Sequence, residues 1–471
     1  MLLVYVGESL TLELDHDPVH GSRTRYVARA REAGRVEDAR PAEARGPAPL
    51  RFELAGAGEG PPRAETLYLF NSPDALVALM RHRDAERAAG RPAVVGRVSR
   101  EAQERLLGGP GIPPRLGYTP GAGEPFVPLE AQVAGLAPRG PFRAAIVNNL
   151  GDRFGDAVLS LGVLRELRAR LEARFGAVEI DLLQHGDNPE AEGLYRRSGM
   201  VREVRLLPLP LAALARYDGW FDFSRARMRT DVHWLDDFLE RVGVDPAAVP
   251  PARKRSWLPP HPEPARRLGP LARPPGPPVL LFHPTASDPA RSLPPPLAAE
   301  AARALLERTG WRVASAVPLA VHHPRYLDWS PLSRGLAELA YLVSRADAFV
   351  TVDTCVYHLA DALGVPGVVL FAGVRPEHRI AYHPYAEGVA LEPPLSRLRG
   401  VRPARGASSP AGPASGADPA AGLLDLDPVL AALRRAVRRR RAARRAPAGA
   451  GGRRTAADHH VPAGTHPGEQ G

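Results

Sequence analysis

The feature that most constrains the fold is an alternation of strand-like and helix-like segments that occurs in two separate blocks. In the first, strand-like runs at Arg143–Asn149, Val178–Leu183, Val201–Leu207 and Trp220–Phe223 are interleaved with helical patterns. One helical pattern covers Asp156–Phe175, with apolar residues at 157, 161, 164, 167 and 171, and another covers Pro189–Ser198. In the second block, PVLLFH, WRVASAV, DAFVTV and PGVVLF alternate with helical patterns over Leu297–Arg308, Leu336–Arg345 and Tyr357–Leu363. A proline-rich stretch from Pro259 to Pro278 separates the blocks. Parallel strands cannot be joined by a tight turn, so a helix between successive strands reads as a crossover. The expectation is an α/β chain with two parallel-sheet domains, over 141–265 and 275–394. Ligands of such domains sit beyond the carboxyl ends of the strands, in the cleft between the two.

The flanks have a different character. Residues 1–140 hold short strand-like runs (Leu2–Val6, Leu10–Leu14, Leu67–Phe70), turn-rich stretches and a helix expected after Ser72. They read as an α+β extension of unknown role. Residues 395–471 form a low-complexity tail rich in Arg, Ala, Pro and Gly, expected to be disordered apart from a basic helix over 423–445 with Leu430, Leu433 and Val437 on one face. The formal charge of +10 is concentrated there: the tail has 14 arginines against five acids, which leaves the first 394 residues at 48 basic against 47 acidic side chains. A near-neutral body does not suit a nucleic-acid groove; the basic helix reads first as a solvated or docking helix and second as a contact with an anionic membrane. The single cysteine, Cys355, excludes an intramolecular disulfide and a cysteine zinc cluster.

Three motifs carry candidate chemistry. After the first strand of block one, NNLGDRFGDAVLS places Asp156 at the amino end of a helix. A carboxylate there either caps free amides or faces the cleft as a general base. The spacing of Gly151 and Gly155 does not give a dinucleotide fingerprint. After the first strand of block two, HPTASDPARSLP offers the hydroxyls of Thr285 and Ser287 and the guanidinium of Arg291, a set suited to a diphosphate or, more plainly, to a capped turn. The strand DAFVTV then delivers Asp353 and Thr354 to its carboxyl end, with His358 about one turn into the next helix. The first two suit a substrate hydroxyl or phosphate at a helix amino end, and the histidine suits a structural hydrogen bond.

In this order the motifs resemble glycosyltransferase family 9, the heptosyltransferase family, over roughly 141–394. The likeness is best in RADAFVTVDTCVYHLADALGVPGVVLFAGVRPEHRIAYHPY, and it extends to Gly155-Asp156 through Arg168 and to Ser287, Arg291 and Leu293-Pro294. The resemblance implies a glycosyltransferase-B fold of two Rossmann-like domains facing a cleft. It also implies inverting transfer of a sugar from a nucleotide-sugar donor, typically ADP-heptose, to a hydroxyl of lipopolysaccharide core or another bacterial glycan or lipid-linked acceptor. Asp156 would be the general base. Thr285, Ser287 and Arg291 would meet the departing diphosphate, Asp353 and Thr354 would hold the donor, and His358 would support their loop, with no metal or other cofactor. The short apolar run before Glu8 is no signal peptide, so the expected location is cytoplasmic, peripheral at most at the inner face of the bacterial inner membrane. The chain departs from the family pattern at Cys355 (glycine in the family), Gly162 (proline) and Arg291 (lysine), and FAGVRP lacks the usual glycine-proline-threonine. The second reading is a non-catalytic nucleotide-sugar-binding or scaffold protein that keeps the fold.

Overall fold

The computed structural model describes residues 2–7, 11–15, 25–29, 40–41, 66–70, 81, 84–85, 87–90, 94–97, 106–109, 111–117, 126–147, 153–184, 188–223, 232–259, 261–272, 275–372, 374–391 and 424–445. Two compact units emerge, Met1–Arg229 with Leu235–Val249, and Thr230–Trp234 with Pro250–Gly471.

The first unit is built on a parallel sheet of β1 (Arg115–Leu116), β2 (Phe142–Val147), β3 (Val178–Gln184), β4 (Glu203–Leu206) and β5 (Gly219–Asp222), in the order β4-β3-β2-β5-β1. Its crossovers include α1 (Phe154–Phe175) and α2 (Pro189–Arg197). The expected apolar stripe of α1 is buried at Ala157, Leu161, Leu164, Leu167 and Leu171. Asn188 starts α2 by accepting the Ala191 amide, with Pro189 in the first turn where its missing N–H costs nothing. β1 comes from the N-terminal 140 residues, so part of that extension completes the first parallel sheet. A second, antiparallel sheet in this unit pairs Leu2–Gly7 with Thr66–Phe70 and Val94–Arg97, and Leu209–Pro210 with Thr66–Phe70. The helix expected after Ser72 falls mostly outside the described residues.

The second unit has a six-stranded parallel sheet of β6 (Val279–His283), β7 (Arg312–Ser315), β8 (Tyr326–Asp328), β9 (Ala348–Val352), β10 (Gly367–Phe371) and β11 (Ala386–Ala390), in the order β8-β7-β6-β9-β10-β11. Every residue of β6, β9 and β10 is buried, as expected of parallel strands covered on both faces. Its helices are α4 (Pro262–Ala272), α5 (Pro295–Thr309), α6 (Leu336–Arg345), α7 (Cys355–Leu363) and α8 (Leu426–Arg445), while α3 (Trp234–Arg241) begins where the chain passes back to the first unit. Two parallel α/β units of this kind are the make-up of the glycosyltransferase-B fold.

Two findings refine the sequence expectation. The proline-rich connection is not a bare linker: Pro262–Ala272 is helical, with Pro262 and Pro264 in its first turn. The basic helix of the tail, expected as either solvated or docking, is docked. Leu426, Val429, Leu430, Ala432 and Leu433 of α8 are buried in one core with Leu280, Phe282, Leu297, Val350 and Leu370, and Val437 packs against it. Asp425 accepts the Asp427 amide at the start of this helix, and Asp427 pairs with Arg308. The rest of the tail lies outside the described residues.

Gly364 closes α7 in the left-handed region at φ +65°, a conformation that favours glycine. At Gly367 the constraint is close approach: a Cβ there would fall on the Phe349 carbonyl oxygen and ring across the β9–β10 pairing. Gly367→Ala is expected to lower the stability of the second unit by about 3 kcal/mol, the scale of overpacking in a closed core. Urea unfolding followed by tryptophan fluorescence measures it, and an unchanged midpoint would show that β10 has room to shift.

Candidate functional site

In the second sheet the chain runs outward from β6 through β7 to β8, then returns to the other side of β6 to lay down β9. The loops leaving β6 and β9 therefore diverge, and the crevice between them is the topological switch point where open α/β sheets bind ligands. Thr285, Ser287 and Arg291 lie on the first of these loops, and Asp353 and Thr354 on the second.

The β6 loop is held in shape by its own polar groups. The Leu293 amide returns to the Pro284 carbonyl at 2.9 Å, Ser292 Oγ accepts the Ala286 amide at 2.9 Å, and the Asp288 carboxylate accepts the Ala290 amide at 2.8 Å. Neighbouring β6 and β9 bring His283 opposite Thr351, whose hydroxyl donates to the His283 carbonyl at 2.9 Å. On that frame Arg291 reaches across the crevice. Its guanidinium donates to the Asp353 carbonyl at 2.9 Å, to the Asp353 carboxylate at 3.3 Å and to Ser287 Oγ at 3.3 Å. Ser287, Arg291 and Asp353 are thus one hydrogen-bonded set, with Asp353 buried and Arg291 half-buried. The pair holds the guanidinium in one orientation and partly balances its charge, a restraint that the sequence does not show.

Thr354 stands at the amino end of α7 in extended backbone, makes no side-chain capping bond, and donates its hydroxyl to Cys355 Sγ at 4.0 Å. Cys355 is the first residue of the helix, a right-handed position open to any L residue, so the departure from glycine carries no backbone strain. Thr285 is half-buried on the β6 loop.

His358 is on the same helix but turned away from solvent. It is 4% exposed, its ring centre lies 5.4 Å from that of His383, and its Nδ1 has no hydrogen-bond partner. Burial, with the neighbouring His383, His233 and Arg379, pushes its pKa well below the ordinary imidazole value. Its contribution to a ligand site therefore passes through the helix it anchors. Around it is a buried polar cluster that no local pattern in the sequence announces. At the carboxyl end of α7, the Asp361 carboxylate accepts Arg255 Nε at 3.1 Å and the Ser256 amide at 2.7 Å. His233 Nε2 lies 3.1 Å from the Arg379 carbonyl, and the Arg379 guanidinium stacks 3.8 Å from the Trp234 ring centre. Lys254, the only lysine, donates to Tyr382 Oη at 2.9 Å. These bonds tie both chain segments that enter the second unit, 230–234 and 250–256, to α7 and to residues 379–383.

Asp156 belongs to the first unit. There β2, β3 and β4 run one way and β5 returns to the other side of β2, so β2 ends at that sheet's own switch point. Asp156 is in the first turn of α1, half-buried, with Ser160 Oγ donating to its backbone carbonyl at 2.6 Å. The helix N-cap is Arg153, which makes no side-chain capping bond. Asn149 and Gly151 lie outside the described residues.

The stretch holding β9, α7 and β10 carries a family signature. Residues 333–397 match the model of glycosyltransferase family 9 (heptosyltransferase). Over this stretch the chain is similar to that family. No curated protein matches it. Among solved structures it is similar to the family 9 glycosyltransferase from Veillonella parvula DSM 2008, at 13% identity over 63% of this chain and 97% of that one, with a TM-score of 0.43. It is also similar to E. coli ADP-heptose lps heptosyltransferase II, at 15% identity over 55% of this chain and 96% of that one, with a TM-score of 0.41. The match to E. coli heptosyltransferase WaaC with ADP has 15% identity, the same shares of 55% and 96%, and a TM-score of 0.37. Among the described residues, no helix is long and apolar enough to cross a membrane.

Proposed function

We propose that the chain is an inverting glycosyltransferase that moves a sugar, heptose from ADP-heptose on the family resemblance, to a hydroxyl of lipopolysaccharide core or another bacterial glycan. The observation that carries this reading is the convergence of Ser287, Arg291 and Asp353 at the switch point of the second sheet, with Asp353 and Thr354 inside the family-matched stretch.

In this reading the donor diphosphate lies against the β6 loop and the amino end of α7. Thr285 and Ser287 donate hydroxyl hydrogen bonds, Arg291 balances the negative charge that grows as the glycosidic bond to phosphate breaks, and the dipole of α7 adds to it. Asp353 orients Arg291, and Asp353 with Thr354 holds donor hydroxyls. Asp156 removes the proton of the acceptor hydroxyl as that oxygen bonds to the anomeric carbon, so the stereochemistry inverts and the diphosphate leaves. The chemistry needs no metal, since guanidinium and helix dipole meet the leaving charge. The acceptor would be presented at the cytoplasmic face of a membrane.

A thermal-shift screen of the whole chain against ADP-heptose, GDP-sugars and UDP-sugars tests the donor assignment. A ligand at about 100 times its Kd stabilises the folded state by about 2.7 kcal/mol, which is an upward Tm shift of roughly 5 °C or more for a unit of this size. ADP-heptose is expected to give that shift. A shift with uridine or guanosine donors alone would replace the donor, and a chain that no nucleotide sugar stabilises would not be a transferase. Binding without release of nucleotide diphosphate in the presence of acceptor extract would favour the scaffold reading.

A further inference from the structure

The helix α8 sorts its arginines into two sets. Arg435 and Arg439 bind Glu387 on β11, and Arg439 also donates to the Pro384 and Ala386 carbonyls at 3.1 and 3.0 Å. Burial opposes the Glu387 carboxylate, but the two arginines outweigh it and hold its pKa below the usual value. Arg440 lies over the Tyr385 ring, 4.9 Å from its centre. These three fasten the helix to the second unit.

The other set points away. At 3.6 residues per turn, Arg434, Arg438, Arg441 and Arg445 fall within about 60° of arc on the side turned from the buried Val429, Ala432, Leu433 and Ala436. All four are exposed, and among the described residues they make no ion pair or hydrogen bond. They form a straight row about 16 Å long at 1.5 Å per residue. From Pro428 to Arg445 the helix contains no acid and no aromatic residue.

We propose that this row is a docking surface for an anionic lipid bilayer. Because the apolar side of α8 is consumed by the core, the helix cannot insert as a free amphipathic helix does, and what it offers is charge alone. A straight row fixed on a folded unit meets a flat charged surface at every position together, and each guanidinium can bond a lipid phosphate. Nucleic acid fits less well: the helix has no ring to stack on a base, and the first 394 residues are near neutral, at 48 basic against 47 acidic side chains. Attachment is therefore electrostatic, reversible and sensitive to salt.

The test is co-sedimentation of the full chain with vesicles of phosphatidylcholine, alone or with about 30 mol% phosphatidylglycerol, since anionic lipid sets the surface potential. Binding is expected to the mixed vesicles only, at about 0.1 M salt, with release at about 0.5 M as screening shortens the reach of the charges. The combined variant Arg434→Gln, Arg438→Gln, Arg441→Gln and Arg445→Gln should lose at least about 100-fold in vesicle affinity, from a several-fold effect per arginine. Glutamine keeps helix propensity, and these side chains touch no core, so its thermal midpoint should match the parent. A second variant, Arg435→Gln with Arg439→Gln, removes equal charge per residue from the Glu387 side and should affect binding much less. The proposal is overturned if the quadruple variant binds as the parent does, if neutral vesicles bind equally, if neither vesicle binds, or if a duplex DNA of about 24 base pairs outcompetes the mixed vesicles, the outcome expected of a phosphate-backbone binder. Vesicle binding needs no donor or acceptor, so its failure leaves the transfer chemistry untouched.

Discussion

Asp156→Asn is expected to lower kcat for sugar transfer by about 10²–10⁴-fold, the usual contribution of a positioned general base, while donor binding stays near the parent value. The amide keeps the size of the carboxylate but cannot accept the acceptor's proton. Because Asp156 is in the first unit and the Ser287–Arg291–Asp353 set is in the second, the substitution separates the two halves of the proposed chemistry. The thermal shift given by ADP-heptose should persist in Asp156→Asn. In Arg291→Ala the pattern should reverse in part. That variant loses the group that meets the leaving charge and also leaves Asp353 buried without its guanidinium, so both turnover and donor stabilisation should fall, turnover by about 10²–10³-fold. Single-turnover release of nucleotide diphosphate with saturating donor reads both effects. Equal rates in Asp156→Asn and the parent would remove Asp156 from the chemistry and leave its carboxylate with the role of a first-turn charge on α1.

Local pattern reached as far as periodicity and turn chemistry carry. The helix Leu336–Arg345 has the bounds its apolar spacing gives, and the buried runs of β6, β9 and β10 read directly as strands because parallel strands covered on both sides need no alternation. The short edge strands Tyr326–Asp328 and Ala386–Ala390 had no such run to show, being partly exposed along their length. Helix Pro262–Ala272 was hidden by its prolines, which mark breaks in a helix interior: Pro262 and Pro264 are tolerated in its first turn, and Pro270 falls close to its end. The packing of α8 was obscured for another reason. Its buried face depends partly on Ala432 and Ala436, which look like low-complexity sequence until the sheet they fill is known. Of the candidate site, the two loops were legible because each follows a strand and precedes a helix or helical turn, whereas the Arg291–Asp353 contact spans 62 residues and is created by sheet order alone. The cluster around His358 is more distant still: His233 and Arg379 are 146 residues apart, Arg255 and Asp361 106. No spacing rule connects such pairs, and only the path of the chain into the second unit explains them.

That cluster and the end of β6 are expected to make stability fall in mild acid. His283, the last residue of β6, is buried, and its pKa is pushed down to about 4 by loss of solvent. His358 is also lowered, by burial and then by the positive neighbours His383, His233 and Arg379. His383 is lowered by burial, with Asp361 pulling upward and Arg255 adding to the decrease. In each case the folded chain keeps the imidazole neutral while the unfolded chain protonates it near pH 6.5, so the unfolded state binds more protons and stability rises with pH. The stabilisation from these groups is complete above pH 6.5 and declines as pH falls towards the folded pKa. For His283 alone the loss at pH 5 is about 2 kcal/mol relative to pH 7.5, and the other two act in the same direction. Paired carboxylates respond in a lower window, near and below pH 4, so a decline between pH 6.5 and 5 isolates the histidines. Urea unfolding at pH 7.5 and 5.0 should show this fall, and His283→Gln should flatten it by about the share of one histidine. A profile level across that interval would mean that water reaches these rings or that the cluster opens to take the protons. Either result would bear on the site itself, because His283 leads into the Arg291 loop and His358 anchors the helix that begins at Thr354.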